Sequence, residues 1–520
     1  METPKMHVGI VGAGLGGLTA AIAIARGGAR VTVLEATEQL SEIGAGIQVF
    51  GNVSRFLVRW GVDKIIGNNL VRPVECNTWS HDGESKLIGH LDMERMEKEQ
   101  GFPWWVVRRD HLHAGLTESA QQHGVELILG ARVTSVKHGA HGAHGAHVRC
   151  SNGKLYQFDL LVGADGVKST VRESIFPDLV PRPISNIAAY RAVLDYEVVY
   201  AQIPEARSVL RNTVDFYVGP NGYVLLYPLS GGKELNIVTA FTTDHTVSTV
   251  EDVDINEFRD YYKDFPHFLR KVLNLMDATK RWPLLVIPPT KAWSNEHKNV
   301  VLLGDAIHSM QNHMAQGAAT AMEDGVFLGR VISEVLRGVI SSREAIHLYE
   351  KQRIPRVWIK QQVSFVNGQI STVTGTEQLE RNSASAPEVA AYDQNPLQPE
   401  VLPPTYRRWQ LFSSAESVPG ILAYDAEADA DFAPTSISAK YWAPEDRPSA
   451  PASWDATGCP ALFRGRLLGP TPLTLPVIHQ LLNTHLKSVK AAAFPAFFPR
   501  LGYPRSEAAP LVDYGEYNSG

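Results

Sequence analysis

Cysteine is scarce: Cys76, Cys150 and Cys459 are the only three in 520 residues, and no two of them form a CxxC pair. That spacing signals neither a zinc knuckle nor a disulfide framework, and the three read as buried, reduced thiols. A basic excess is also missing. The formal net charge is -6, which argues against a chain built around nucleic-acid phosphates, since such binding normally needs a basic stripe, and no nucleic-acid partner is expected. No apolar run reaches the roughly 18 residues that cross a bilayer. The segment "METPKMH" leads straight into apolar Val8–Val11 without a secretory leader pattern. The expectation is a cytoplasmic protein with no transmembrane segment, and with a homodimer as a possible assembly.

What the chain does have is ordinary globular material, 44% hydrophobic and 20% charged. Its length suits two domains, or one large domain with an appended module. The most informative stretch is "HVGIVGAGLGGLTAAIAIARGGARVTVLEA". Val8–Val11 reads as a buried strand, and Gly12, Gly14 and Gly17 then carry GxGxxG spacing. Ala20, Ala21, Ile24 and Ala25 give a helical apolar face, and Val31–Leu34 is a second strand ending at Glu35. Each glycine has a task. Gly12 makes the tight turn, Gly14 lets a pyrophosphate approach the backbone, and Gly17 permits close helix–strand packing. The helix N-terminus offers N–H groups to phosphate, and Glu35 is placed to accept hydrogen bonds from a ribose. This stretch binds a dinucleotide, NAD or FAD; the shared half of the ligand does not say which.

Two later units repeat the strand-to-turn pattern. In "DLLVGADGVKSTVR" the strand is Leu160–Val162, Asp165–Gly166 turns, Ser169 caps, and Arg172 is placed to salt-bridge an acidic neighbour. In "NVVLLGDAIHSMQNHMAQGAATAMED" the strand Val300–Leu303 ends at Gly304–Asp305 and a helix begins at Gly317. Ala318, Ala321, Met322, Gly325, Leu328 and Ile332 form its packed face. An acid at such a strand end suits a ribityl-like polyol, and the helix start suits partial negative charge on a flavin ring.

These motifs together resemble the single-component FAD-dependent aromatic hydroxylases, particularly the salicylate-hydroxylase-like enzymes of fungi. "GAGLGG", "GAGIQV", "VRRDHL", "GADGVKSTVR" and "GDAIHSMQNHMAQGAATAMED" carry the resemblance, over roughly residues 6–370. It implies a Rossmann-like FAD-binding α/β domain interleaved with a mainly antiparallel β-sheet substrate domain, followed by a proline-rich C-terminal extension. It also implies that Arg109 contacts FAD, that Asp165 serves FAD and NAD(P)H use, and that Asp305 binds the ribityl chain. Gly317 and Ala318 lie beside the reactive ring in that reading, with Gly46 and Ile47 lining the isoalloxazine. Two departures stand out: Ser309 where relatives usually have proline, and Asn312–His313 where they often have Pro-Tyr or Pro-His.

The implied segmentation is FAD-binding parts at 1–75, 104–180 and 286–375, substrate-domain parts at 76–103 and 181–285, and a C-terminal region at 376–520. "NTWSHDGESKL" and its continuation toward Trp104–Trp105 are expected to add strands to the substrate sheet, as are "NIAAYRAVLDYEVV", "TVDFYVGPNGYVLLYPLS" and "ELNIVTAFTT". Arg191, His313, Tyr217 and Tyr227 are the candidate catalytic groups. Arg191 sits mid-strand among apolar neighbours. His313 is a candidate for polarising a substrate hydroxyl, as is His308 less strongly, and Tyr223 is a further phenol near the hairpin. His308 and His313, five apart without an acid pair, do not make a metal set. "HGAHGAHGAH" at 138–147 reads as an expanded surface hairpin able to bind nickel or zinc only weakly.

Eighteen of the 32 prolines fall in residues 371–520, so irregular segments wrapping the core are expected there, with the family's usual C-terminal helix near "WQLFSSAESVPGILAYDAEADA". The activity implied is transfer of one atom of O2 to an electron-rich aromatic or indole-like small molecule, with NADPH or NADH as transient reductant. Decarboxylation or dearomatisation, in secondary metabolism, is a possible accompaniment. The alternatives are epoxidation or oxidative rearrangement of an alkene or indole, a flavin dehydrogenase, and a non-catalytic flavoprotein.

Overall fold

A computed structural model describes residues 6–40, 45–81, 85–139, 145–382, 422 and 424–432. The apolar strand His7–Val11 lies at the centre of a five-stranded parallel sheet. The order is Val300–Leu302, Leu160–Gly163, His7–Val11, Arg30–Leu34, Glu126–Ile128. Its central strands are buried on both faces, as their continuous Val/Ile/Leu runs require. The chain leaves the first strand to one side and returns later on the other, so a topological switch point forms at the end of His7–Val11, beside Gly12.

Helix Leu15–Arg26 follows that turn and crosses helix Gly317–Leu336, called here the wall helix. The crossing is close because small residues meet. A Cβ on Gly325 would stand 2.6 Å from the Ala20 backbone nitrogen, and one on Gly329 would stand 2.3 Å from the Ala23 Cβ. Helix Ser342–Ser371, opened by a Ser341/Glu344 capping box, packs behind the wall helix.

The second sheet has six strands in the order Ile187–Asp195, Glu234–Thr242, Gly222–Leu229, Thr213–Gly219, Glu75–Ser80, Leu87–Asp92. All neighbours are antiparallel except Thr213–Gly219 with Glu75–Ser80. Side-chain alternation divides it. Tyr217, Val224, Leu226 and Ile237 pack behind, with Phe258, Tyr262 and Leu269. Phe216, Tyr223, Leu225, Tyr227 and Val238 face forward into a cleft.

Several expectations are corrected. The strand from Ile187 stops at Asp195, whose carboxylate accepts the Glu197 N–H at 2.7 Å and starts helix Tyr196–Gln202, so "YEVV" is helical. Trp105 does not extend the six-stranded sheet. Asp92 caps helix Met93–Gln100, and strand Trp105–Arg108 then pairs with Gly46–Val49. Arg172 makes no salt bridge to an acid among the described residues: it donates to the carbonyls of Val167, Ala306 and Leu179 at 2.9, 2.9 and 3.1 Å. Ser169 caps as expected, accepting the Arg172 N–H.

Cys150 is buried and Cys76 half-buried, while Cys459 lies outside the described residues. The histidine repeat joins antiparallel strands Val133–His138 and Ala146–Cys150, with residues 140–144 outside the description. Of the C-terminal region, helix Ala426–Phe432 lies against the wall helix. The rest of that expectation falls mostly outside the described residues. No helix among them is long and apolar enough to cross a membrane.

The helix crossing gives a direct test. Gly325→Ala should destabilise the protein by about 1–3 kcal/mol, read as a lower urea midpoint with an unchanged slope. A wild-type midpoint would show that the crossing relaxes at no cost.

Candidate active site

Two cavities meet the sequence-marked residues. The first, about 530 Å³, is lined by Gly12, Gly14, Glu35, Asp165, Arg132, Lys168 and His113 among others. Gly12 has φ +101°, and a Cβ there would strike the Ala164 carbonyl oxygen at 2.5 Å, so the turn requires glycine. Gly17 does not line the cavity. A Cβ on it would lie 2.1 Å from the Gly12 oxygen, so it supports the turn by close packing. Gly14 is different: a Cβ there would meet nothing within 4 Å, and this helix N-cap has no side-chain cap. The turn therefore holds open space above unpartnered helix N–H groups, where a pyrophosphate fits.

Glu35 is fixed at the cavity edge, accepting N–H bonds from Ala13 at 2.8 Å and Thr37 at 2.9 Å. Asp165 accepts the N–H groups of Thr170 (2.7 Å) and Val171 (3.1 Å) and the Ser169 hydroxyl. Burial pushes its pKa up, against the pull of those hydrogen bonds.

The second cavity is the cleft under the six-stranded sheet, about 350 Å³. It brings together Gly46, Ile47, Arg109, Arg191, Tyr227, Asp305, His313, Gly317 and Ala318 from five separate stretches of chain. Arg109 and His113 are one turn apart on helix Arg109–Gln122. Arg109 lines the cleft and His113 the first cavity, so one helix face links both. This pair of cavities would hold a dinucleotide, with Gly14 toward its pyrophosphate and Gly46 and Gly317 toward its ring. Gly46 has to be glycine here, since a Cβ would stand 2.6 Å from the Tyr227 ring. Its N–H donates to Asn236 Oδ1 at 2.8 Å.

Tyr217 is the candidate that the structure moves elsewhere. It faces the rear cluster, stacked on Trp79 at 6.3 Å, because odd positions of that strand point away from the cleft. Tyr223 takes its place, its hydroxyl hydrogen-bonded to His313 Nδ1 at 3.0 Å. Burial pushes the His313 pKa down to about 3, so its imidazole is neutral. Burial pushes the Tyr223 and Tyr227 phenols up, with Arg191 opposing. Arg191 stands open to the cleft. Its surroundings lower its pKa, chiefly by keeping water away and also through Arg109.

His308 is not in the cleft wall. It is buried beneath it, with Nε2 2.5 Å from Asp324 Oδ2. Asp324 also accepts the Gly304 N–H at 3.2 Å and Arg353 Nε at 2.7 Å. The adjacent Glu323 accepts Arg353 Nη2 at 2.8 Å, Lys360 Nζ at 2.7 Å and Asn52 Nδ2 at 2.6 Å. Lys360 and Asn52 both donate to Gln316 Oε1, at 3.1 and 3.0 Å, and Gln316 is the wall helix's N-cap. Sequence reasoning missed this cluster, as it missed His113 and Asn236. Its signal was present in "AMEDG": two acids inside an apolar helix face, which stay buried only if cations meet them.

The parallel sheet, its switch point and the paired cavities define a dinucleotide-dependent oxidoreductase fold of the flavin type. The chain belongs to the FAD-binding-domain family, which matches residues 5–364. It is 31% identical over 370 residues to the FAD-dependent monooxygenase OpS4 of Beauveria bassiana, covering 69% of this chain and 85% of that protein. It is 33% identical over 380 residues to a 3-hydroxybenzoate 6-hydroxylase of Polaromonas naphthalenivorans, covering 72% and 90%. A solved salicylate hydroxylase–substrate complex shares the fold, with a TM-score of 0.64 at 19% identity, covering 83% of this chain and 98% of that one. The protein is an FAD-dependent monooxygenase of the aromatic-hydroxylase type, for which NAD(P)H is the typical reductant.

Two predictions follow from this geometry. Gly14→Val should leave the apo protein's Tm unchanged but raise the Kd for FAD at least about tenfold, since the side chain fills the pyrophosphate space without touching protein. Flavin fluorescence titration reads this, and unchanged affinity would remove Gly14 from the cradle. The second concerns Glu323. Burial raises its pKa, but Lys360, Arg353 and Arg356 outweigh that and hold it from the ordinary 4.5 down to about 2. A carboxylate depressed on folding stabilises above its unfolded pKa and loses that contribution as pH falls through the folded one. The stability gap between wild type and Glu323→Gln should be constant above about pH 4.5 and shrink toward pH 2, measured by urea unfolding. A gap independent of pH would contradict an ionised Glu323.

Proposed function

We propose that the aromatic substrate is a phenol bearing, or becoming, an anion, held between Arg191 and the Tyr223–His313 pair. One observation carries this reading. Arg191 presents a guanidinium to a cleft that also holds Arg109 and Asp305, with no carboxylate paired to it among the described residues. Such a cation is best satisfied by a ligand's carboxylate or phenolate oxygen. Phe216, Leu225, Val238, Met314 and Ile370 supply the flat apolar walls that a ring fills. When bound, FAD supplies the oxygen-activating redox chemistry, taking electrons from NADPH or NADH and delivering one atom of O2 to an electron-rich carbon while the other leaves as water.

The chain's own residues have the remaining tasks. Arg191 stabilises negative charge on the substrate oxygen, which raises electron density on the ring carbons. Neutral His313 fixes the Tyr223 hydroxyl through its Nδ1 hydrogen bond, so the phenol presents one orientation to a substrate hydroxyl. Tyr227, packed beside Gly46, limits how far a substrate slides along the cleft. An indole-like substrate offers Arg191 no anion, which favours the phenol.

The test is Arg191→Met against paired phenols with and without a carboxylate, following NAD(P)H oxidation and ¹⁸O incorporation. The Kd for the carboxylated member should rise about 10- to 100-fold, as expected for losing a hydrogen bond to a charged group. The uncharged member should change little and FAD affinity should hold. Equal effects on both members would defeat the anion-recognition role.

A further inference from the structure

The register of the six-stranded sheet gives the cleft a length that a single ring does not need. Arg191 stands on one edge strand. Its cross-strand neighbours are, in turn, Val238, Leu225, Phe216, Thr78 and, on the opposite edge strand, Gly89. All six line the same cavity. Residues in one cross-strand row share a face of the sheet, so the cavity runs from edge to edge. Across six strands, at about 4.8 Å between neighbours, that is about 24 Å, of which a ring with one carboxylate covers about two strand spacings.

The two ends of the row differ. The segments read as flavin-facing lie toward Arg191. A Cβ on Gly46 would meet Tyr227 and Asn236, on the third and second strands from that edge, and Arg109 adds to the burial that lowers the Arg191 pKa. The far end is built from the outer strands Glu75–Ser80 and Leu87–Asp92 and from the last turn of helix Ser342–Ser371. Ile370 packs in one cluster with Leu91, and the chain just beyond it reaches His81, with Gln378 Nε2 3.0 Å from His81 Nδ1. Ser371 therefore faces the outer strands. Thr78 and Ser371 both line the cavity, and neither hydroxyl has a hydrogen-bond partner among the described residues. Ser371 is only 4% exposed, and a hydroxyl so buried is normally paired. Gly89 keeps Thr78 uncovered, since a Cβ there would stand 3.2 Å from Thr78 Oγ1.

We propose that the cleft takes a phenolic substrate with an extended arm: its ring at the Arg191 end, an apolar alkyl or aryl arm over Leu225 and Phe216, and a hydroxyl or carbonyl at the tip received by Thr78 and Ser371. With Arg191 as the anion anchor, the reading on which this rests, the substrate is a substituted phenol rather than a bare hydroxybenzoate. The row then matches its ligand along its length, with a cation at one end, apolar side chains in the middle and hydrogen-bonding groups at the other.

The test titrates the full-length holoenzyme, followed by flavin absorbance, with three probes that share one head group: β-resorcylate, its pentyl homologue and its hydroxyphenethyl homologue. The hydroxyphenethyl compound should bind at least about tenfold tighter than β-resorcylate, with the pentyl homologue between them. Thr78→Phe fills the far end and should abolish that preference. Thr78→Val combined with Ser371→Ala keeps the shape but removes both hydroxyls. It should weaken the hydroxyphenethyl compound about tenfold and leave the ratio of pentyl homologue to β-resorcylate as in wild type. Equal wild-type affinity for the three probes, or a preference that survives Thr78→Phe, would overturn the arm. If the phenylalanine variant does not fold, the double variant decides, and an unchanged ratio of hydroxyphenethyl to pentyl affinity there overturns the proposal. Arg191→Met separates the two readings: it should weaken all three probes by one factor, because all carry the carboxylate. No loss in that variant strikes the anion anchor, while the ratios among the probes still judge the arm. Binding of none of the three to wild type would overturn the arm, with Arg191→Met against the paired phenols still testing the anchor.

Discussion

Arg353 lies fully buried between two consecutive carboxylates, Nε on Asp324 and Nη2 on Glu323, and the cleft's cofactor side is organised around that contact. Each acid reaches onward to a different cleft-lining segment. Asp324 takes the Gly304 N–H at the end of a parallel strand, and Glu323 takes the side chains that grip Gln316 at the helix start. Removing one partner from a buried pair of this kind costs about 3–5 kcal/mol, since the other charge is left without compensation. A single guanidinium therefore sets the spacing between the turn that carries Asp305 and the helix that begins at Gly317.

The proposed substrate side is built on different physics. Its wall is a sheet whose forward face sets Phe216, Leu225, Tyr227 and Val238 beside the polar Thr78, His90, Arg191 and Tyr223, the last hydrogen-bonded to His313. The sheet's rear face has its own apolar core, with Tyr217 and Phe258 in it. Exchanging Phe216, Leu225 or Val238 thus alters the chamber without reaching the ion cluster.

What could be read from sequence divides along the same line. The glycine turn was legible because each glycine answers a local demand: positive φ at Gly12, open space at Gly14, contact at Gly17. Asp305, Arg109 and Gly317 were legible through the resemblance, and the cleft brings them together. Tyr217 was misplaced because alternation gives two faces but does not say which meets the cofactor; that depends on which side the Phe258 helix covers. The strand through Asp195 was overextended because "YEVV" satisfies both periods, and only the capping carboxylate decides. His308 was taken for a pocket wall because its partner Asp324 lies sixteen residues away on the next helix. The acids of "AMEDG" signal that cations must meet them, but nothing local says that His308 is one of the partners.

The departures at Ser309 and Asn312–His313 now have physical content. The Ser309 hydroxyl donates to the Leu285 carbonyl at 2.5 Å, while its own carbonyl accepts Gln361 Nε2 at 3.1 Å. Where a proline would fix the backbone through its ring, this chain fixes it through hydrogen bonds from both sides. The His313 carbonyl accepts Asn367 Nδ2 at 2.6 Å, and its ring lies so close to Gly368 that a Cβ there would stand 2.3 Å from it. Helix Ser342–Ser371 thus uses Gln361, Asn367 and the missing side chain of Gly368 to hold a loop that covalent stiffness does not. Because those contacts also orient His313 toward Tyr223, the hydrogen bonds that hold the loop and the imidazole in the cleft form one arrangement.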